Sequence, residues 1–278
     1  MITREHSANV LPVVNSSLPP AGSFHGSREP RRRADSFLFD QREPSTTRTQ
    51  RYNCSLNRPG IFISFEGIDG SGKTTQLDLL RESLTASGRN VVVAQEPGGT
   101  RVGREIRRLL LDAANHDLRP VPELLLYFAS RAQNIDEVIR PALEAGSVVL
   151  ADRFTDATVA YQGYGRGLGV ENVLAIETVA CGGMKPDLTL LLDIDPEVGV
   201  RRALDRNHAA SLSADSSDES RMERESREFF ERVAAGYRAL RAESPERIVL
   251  IDGRGTIEQV AAAVQAAVAS RLETTLAP

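Results

Sequence analysis

The sequence predicts an α/β fold: a five-stranded parallel sheet with helices on both faces and a mobile lid. Three observations carry this. Five short apolar runs recur along the chain, each of a length suited to a strand buried on both sides. Stretches with apolar residues at helical spacing separate them, the signature of βαβ crossovers rather than hairpins. The 278 residues are 41% hydrophobic, enough to bury the core of one such domain.

The elements follow in order. Residues 61–66 form the first apolar run and are followed by Gly67, so they read as a buried parallel strand. A helix follows over about 72–86, with Leu77, Leu80 and Leu84 on one face. Further strands are expected at 91–94, 147–151, 188–194 and 247–251, and further helices near 103–113, 121–144, 170–181, 196–206, 221–242 and 256–272. Asn207–Ser220 breaks the pattern: it is polar, holds five serines, and has Arg201, Arg202, Arg206, Arg221 and Arg224 around it. It reads equally as a lid, about 202–222, or as a surface insertion. Ser220 and Glu223 have capping-box spacing, which predicts that the next helix opens there.

Residues 1–58 differ from the rest. They contain nine Arg, no Lys, eight Ser and five Pro, carry a net charge of +4, and show little apolar periodicity. Such a segment cannot bury enough surface to offset its ordering entropy, so a disordered N-terminal extension is expected, with the folded domain at 59–278. It lacks the apolar core of a secretory signal, and its five acids argue against a transit peptide. No run reaches the length of a membrane helix, so no membrane partner is expected. Residues 59–278 are net acidic with dispersed arginines, which argues against a nucleic-acid partner. The two cysteines, Cys54 and Cys181, fit no metal or disulfide pattern, and a reducing cytoplasmic location is expected.

The chain has only two lysines, Lys73 and Lys185. Lys185 precedes Pro186 and reads as a solvated turn residue. Lys73 falls within Gly67-Ile68-Asp69-Gly70-Ser71-Gly72-Lys73-Thr74, which matches G-x-x-x-x-G-K-[ST] between a strand and a helix. Glycines there let backbone amides turn inward onto phosphate oxygens at a helix start. Amides from Gly67 through Thr75 would cradle the phosphates of a nucleoside triphosphate, Lys73 would reach the β- and γ-phosphates, and the Thr74 hydroxyl would hold Mg²⁺. The motif defines a P-loop NTPase fold but not a reaction.

Other polar groups fall at the C-terminal ends of expected strands, where a doubly wound sheet binds its ligands. Glu96 and Arg101 follow the second strand, and Asp152 and Arg153 follow the third. Arg131 lies on the long helix near Tyr127 and Phe128, and Tyr161 and Gln162 lie in a turn-rich stretch that also holds Arg166. Each has an ordinary reading too. Arg131 or Arg153 alone could be a solvated arginine, Tyr127 a core aromatic, and Asp152 a helix cap, although an Asp ending a strand beneath a P-loop is also the usual Mg²⁺-linked carboxylate.

Taken together, FEGIDGSGKTTQ (65–76), QEPGGTRVG (95–103), YFASRAQ (127–133), ADRFTDATVAYQGYGRG (151–167) and KPDLTLLLDIDPEVGVRR (185–202) resemble thymidylate kinases from about residue 59 to the C-terminus. The resemblance implies transfer of the γ-phosphoryl group of ATP, with Mg²⁺, onto dTMP. It implies that Arg131 and Arg153 hold the dTMP phosphate, that Tyr127 stacks on thymine, and that Tyr161 and Gln162 flank sugar and base. It further implies that Glu96 and Arg101 lie near the acceptor, that Asp69 serves the dTMP sugar hydroxyl and the metal site, and that the enzyme is a homodimer. The P-loop lacks the extra arginine of one subgroup, so the chain looks like the subgroup whose lid supplies it. Arg206, Arg221 and Arg202 are the candidates, in that order. Here the chain departs from the family pattern, with a longer Ser/Asp-rich insert and Ser220-Arg221 in place of an Asp-Arg pair.

Two alternatives remain at this stage. One is a kinase of the same fold acting on another nucleoside monophosphate or on a deoxynucleoside. The other is a P-loop ATPase or switch, although the Asn-Lys-x-Asp element of a GTPase is not matched by Met184-Lys185-Pro186-Asp187.

Overall fold

The computed structural model describes residues 60–211 and 218–276. The expectation for residues 1–58 lies outside the described residues. Five strands form one parallel sheet: β1 (Ile61–Glu66), β2 (Val91–Gln95), β3 (Val148–Asp152), β4 (Leu188–Asp193) and β5 (Ile248–Asp252), in the order β2-β3-β1-β4-β5. Central β1 is buried at all six positions, whereas edge strand β2 buries only Ala94 and Gln95 is exposed, as expected for a strand with one neighbour.

The pleat of β1 divides its side chains between two layers. Ile61, Ile63 and Phe65 face Leu77, Leu80 and Leu84 of α1 (Lys73–Ala86) and Val260, Val264 and Val268 of α9 (Ile257–Leu276). Phe62 faces the opposite layer, with Leu124 and Phe128 of α3 (Pro120–Asn134) and Leu143 of α4 (Arg140–Glu144). That layer also contains α6 (Val170–Cys181), through Val173 and Cys181. α8 (Arg227–Glu243) lays Phe230, Val233 and Tyr237 against Leu191 and Ile194 at the end of β4. Helices cover both faces, and the crevice at the C-terminal end of β1, between β3 and β4, is the switch point of the sheet.

Four local expectations are corrected. The helix expected over 121–144 is interrupted: a π turn at Ile135–Ile139 joins α3 to α4. Pro141 follows one residue later, and the wider turn accommodates a residue that has no N–H to donate. The turn-rich reading of the stretch around Tyr161, Gln162 and Arg166 is replaced by a short helix, α5 (Thr155–Thr158), running into a π-helical segment at Val159–Gly165. Its glycines signal close packing rather than a turn. A Cβ at Gly165 would lie 2.7 Å from the Phe229 ring, and one at Gly236 of α8 would lie 2.8 Å from Tyr164. α7 (Pro196–Ser211) continues five residues into the expected polar loop. α8 opens at Arg227 rather than at 221: Ser226 is its cap, accepting from the Phe229 N–H at 3.3 Å, while Ser220 accepts from Arg224. Burial of Ser220 through Glu223 in a turn wins over capping-box spacing. Of the expected lid, 202–211 is helical, 218–222 is coil and turn, and 212–217 lies outside the described residues.

Candidate active site

The loop from Gly67 to Gly72 leaves β1 and enters α1 in conformations that only glycine tolerates readily. Gly67 has φ +130° and would push a Cβ to 2.3 Å from the Leu192 carbonyl oxygen, and Gly70 has φ +74° and would meet that of Gly199 at 2.0 Å. Lys73 is folded beneath the loop, its Nζ donating to the carbonyls of Gly67 (3.1 Å) and Ile68 (2.8 Å). Burial and the nearby Arg153 lower its pKa to about 8, against the pull of Asp69 and Asp152. Thr74 Oγ1 donates to Asp152 Oδ2 at 3.2 Å, so the motif hydroxyl and the carboxylate ending β3 share one point.

Next to Asp152, Arg153 adopts a left-handed backbone, φ +74°, rare for a residue with a side chain. Its guanidinium crosses the crevice. Nη2 donates to Asp69 Oδ1 at 2.6 Å and to the Tyr161 hydroxyl at 3.3 Å, while Nη1 donates to Gly67 O at 2.8 Å and to the Tyr237 hydroxyl at 3.2 Å. It also lies 4.9 Å from the centre of the Tyr161 ring. Tyr161 donates to Asp69 Oδ2 at 2.8 Å. Burial alone would raise the Asp69 carboxyl, but Arg153, Lys73 and Tyr161 outweigh it and hold the pKa at about 2.

The opposite wall comes from α3. Arg131 is 2% exposed, donates from Nε to Glu96 Oε2 at 2.5 Å, and uses its other nitrogens on Thr158 Oγ1 and the Phe154 carbonyl. Burial works against its charge, but Glu96 more than offsets this and keeps the guanidinium protonated. Tyr127, one helical turn earlier, lines the cleft, whereas the adjacent Phe128 enters the core, as helical geometry requires of neighbours. Gln162 lines the same wall and donates to Glu123 Oε1 at 2.9 Å.

These groups line one cleft of about 530 Å³: Gly70, Lys73, Thr74 and Asp152 from the phosphate loop and the end of β3, together with Asp69, Glu96, Tyr127, Arg131, Arg153, Tyr161 and Gln162. Gly72 and Thr75 also reach its wall, while Gly67 and Ile68 back onto a smaller cavity behind the loop. Ser71 is 3% exposed, with its hydroxyl 3.4 Å from Lys73 Nζ. Arg206 stands at the rim, 60% exposed and 3.7 Å from Glu223.

Three candidate arginines are not brought to the cleft wall. Arg101 is an exposed residue that opens α2 (Arg101–Leu111) and lies off its wall. Arg221 is buried, paired with Glu123 at 2.8 Å and donating to the Leu110 carbonyl, which directs it away from the cleft wall. Arg202 is exposed on α7 beside Gly70.

Sequence reasoning missed Glu123. It is fully buried and ties together Gln162, Arg166 and Arg221, with Arg166 donating to both of its oxygens at 3.0 Å. Its place one turn before Tyr127 on α3 was the available signal. Thr158 and Arg107 were missed as well. Arg107 reaches the cleft from α2, donating to the Pro97 carbonyl and pairing with Glu219 at 2.8 Å.

A phosphate loop at the switch point of a parallel sheet, facing a basic and aromatic wall in the same cleft, defines a P-loop nucleotide kinase. The thymidylate kinase family model matches residues 65–264. A thymidylate kinase of Geobacter sp. (strain M21) is 51% identical over 214 residues, covering 77% of this chain and 93% of that protein. One of Geotalea uraniireducens (strain Rf4) is 48% identical over 213 residues, covering 77% and 98%. The crystal structure of thymidylate kinase from Ehrlichia chaffeensis is 32% identical, with a TM-score of 0.60, and covers 76% of this chain and 98% of that one. The chain belongs to the thymidylate kinase family.

Proposed function

We propose that in this thymidylate kinase, which phosphorylates dTMP to dTDP with ATP, Lys73 and the loop amides hold the donor phosphates while Arg131 and Arg153 hold the acceptor phosphate. The observation that carries this is the cleft itself, which is lined by the P-loop lysine and by two arginines held by buried or partly buried carboxylates. An acceptor phosphate is already ionised, so no strong base is needed. The protein contributes alignment and positive charge around the transferred group. Arg153, fixed by Asp69 and two tyrosines, loses little conformational freedom on binding an anion. Tyr127 is assigned to stack on the base, Gln162 and Tyr161 to flank base and sugar, and Glu96 to orient Arg131.

Mg²⁺ fits the residues present. Among the described residues there is no cluster of three or more metal-ligating side chains, and Thr74 and Asp152 alone converge on one point. That suits an ion that takes one or two protein oxygens and completes its shell with water and phosphate. When bound, it supplies charge neutralisation on the phosphate oxygens. Asp69 is committed to Arg153 and Tyr161 and belongs to the acceptor side of this reading rather than to the metal. Of the lid candidates, Arg206 at the rim is assigned to the transferring phosphate.

A homodimer is supported by exposed apolar side chains on neighbouring helices: Val121 and Leu125 on α3, and Leu174 and Val179, the last 85% exposed, on α6. A cytoplasmic location fits Cys181, which is free, buried and raised by burial to a thiol pKa of about 11. Among the described residues no helix is long and apolar enough to cross a membrane.

The test is ADP release from ATP and Mg²⁺ with dTMP, dUMP, dCMP, dGMP or AMP as acceptor. Release that depends on dTMP, with dUMP weaker, is expected. Preference for another acceptor would move the substrate assignment, and release indifferent to every acceptor would point to an ATPase.

A further inference from the structure

Arg153 is held by two groups that do not line the cleft. Glu66, the last residue of β1, is fully buried, and both of its carboxylate oxygens are engaged: Oε1 accepts from the Phe154 N–H at 2.7 Å and Oε2 accepts from the Tyr237 hydroxyl at 2.9 Å. The first bond grips the peptide just after Arg153. The Arg153 N–H itself donates to the Phe65 carbonyl at 3.0 Å. The end of β1 therefore clamps the left-handed residue from both sides, against the backbone strain of a non-glycine residue there.

The second bond fixes the side chain. When Glu66 is ionised its carboxylate only accepts, so the single Tyr237 proton then points at Glu66 and its lone pairs are left for Arg153 Nη1, 3.2 Å away. Were that proton free to turn, Tyr237 could present a donor to a guanidinium that has only donors. With Glu66 ionised, the order Arg153 to Tyr237 to Glu66 admits one polarity. Tyr237 comes from α8, 84 residues beyond Arg153, so the strand end and a distant helix set the guanidinium jointly.

We propose that Glu66 and Tyr237 are positioning residues for the reaction, acting through Arg153: Glu66 holds its backbone and, by way of the Tyr237 hydroxyl, its guanidinium. This rests on the reading of Arg153 as an acceptor-phosphate ligand. A purely structural role would lower stability and the active fraction without singling out dTMP.

The test uses the full chain and the variants Tyr237→Phe, Glu66→Gln and Arg153→Ala, singly and in pairs, with thermal midpoints, kcat, KM for each nucleotide and dTMP affinity by calorimetry. Tyr237→Phe is expected to fold, to keep KM for ATP within about twofold, and to weaken dTMP binding or kcat on the order of tenfold. Glu66→Gln should act in the same direction, and the Tyr237→Phe/Glu66→Gln pair should lose less than the product of the single losses. In an Arg153→Ala background, Tyr237→Phe should have no further effect on dTMP affinity. If Tyr237→Phe leaves dTMP affinity and kcat unchanged, or costs as much without Arg153 as with it, the inference is wrong. If Glu66→Gln fails to fold, Tyr237→Phe in the two backgrounds still decides. If Arg153→Ala is itself fully active, the reading of the site fails first and this inference with it.

Discussion

Thr74 and Asp152 lie 78 residues apart in the chain and meet at 3.2 Å where α1 begins and β3 ends. One comes from the phosphate-loop motif and the other from the neighbouring strand, and the pairing of β1 with β3 brings them together, with Phe65 opposite Asp152. Replacing either should raise the Mg²⁺ concentration needed for half-maximal rate and lower kcat, by about 10²-fold for Asp152→Asn and less for Thr74→Ala. Rate against free Mg²⁺ measures this. An unchanged Mg²⁺ requirement in both variants would remove them from the metal site.

Arg131 and Glu96 form an ion pair with both side chains 2% exposed. Removing one partner strands the other charge, which costs about 3–5 kcal/mol. Arg131→Ala should therefore lose stability as well as dTMP turnover. Arg131→Lys should recover part of the stability but little of the activity, because one ammonium cannot serve Glu96, Thr158 and the Phe154 carbonyl in the same plane. Denaturant midpoints beside kcat/KM for dTMP check both parts.

The two arginines at either side of the expected lid should separate. Arg221, buried against Glu123 and the Leu110 carbonyl, should cost stability when changed to Ala while kcat falls less than about tenfold. Arg206, exposed at the rim, should leave the melting midpoint nearly untouched and lower kcat by about 10²-fold or more. The opposite assignment would show as the reverse pattern.

Glu66 carries a pH signature. Burial first, then Asp156, raise its pKa from 4.5 to about 7, against Arg153, the Phe154 amide and Tyr237. Between these two values the unfolded chain has released a proton that the folded chain retains. Glu66 therefore makes stability fall as pH rises from about 4.5 to about 7, with no further change from this group above that. Asp69, held at about 2, works in another window and withdraws stability only as pH drops below 3.8. Unfolding free energies across pH 4.5–7.5 should decline less in Glu66→Gln than in the parent chain, and parallel curves would refute the assignment.

Gly165→Ala should destabilise by about 1–3 kcal/mol, because its Cβ would press on the Phe229 ring and on Val233 at 2.9 Å. A melting midpoint equal to the parent would show that α8 can step back at no cost.

What the sequence disclosed follows from which forces are local. β1 and its glycine loop could be read directly, because burial on both faces and positive φ each constrain residue type at fixed spacing. Tyr127 and Arg131 were legible only through the resemblance of YFASRAQ to the family, since each alone had an ordinary reading. The π-helical segment at 159–165 was not, since Gly165 and Gly236 are small to let two elements approach, and sequence alone cannot tell that from a turn. Glu66 gave no signal for a related reason, and Glu123 only its place one turn before Tyr127. Each is one acid among many until the chain has folded partners from distant elements around it. Arg221 was misplaced because proximity to a lid in sequence says nothing of an acid waiting on α3.

The folded-under lysine also gives this chain a chemical handle. Its side chains contain two amines, one on exposed Lys185 and one on Lys73, which is 6% exposed and more easily deprotonated than an ordinary lysine. A bulky, non-specific acylating reagent will find the first and be kept from the second. On the proposed reading of the loop as the donor-phosphate site, an aldehyde borne on a nucleotide polyphosphate should have the reverse preference, and at mildly alkaline pH the neutral amine there can condense with it. Two reagents and one mass spectrum would then report how open the donor site is, residue by residue, with no engineered label.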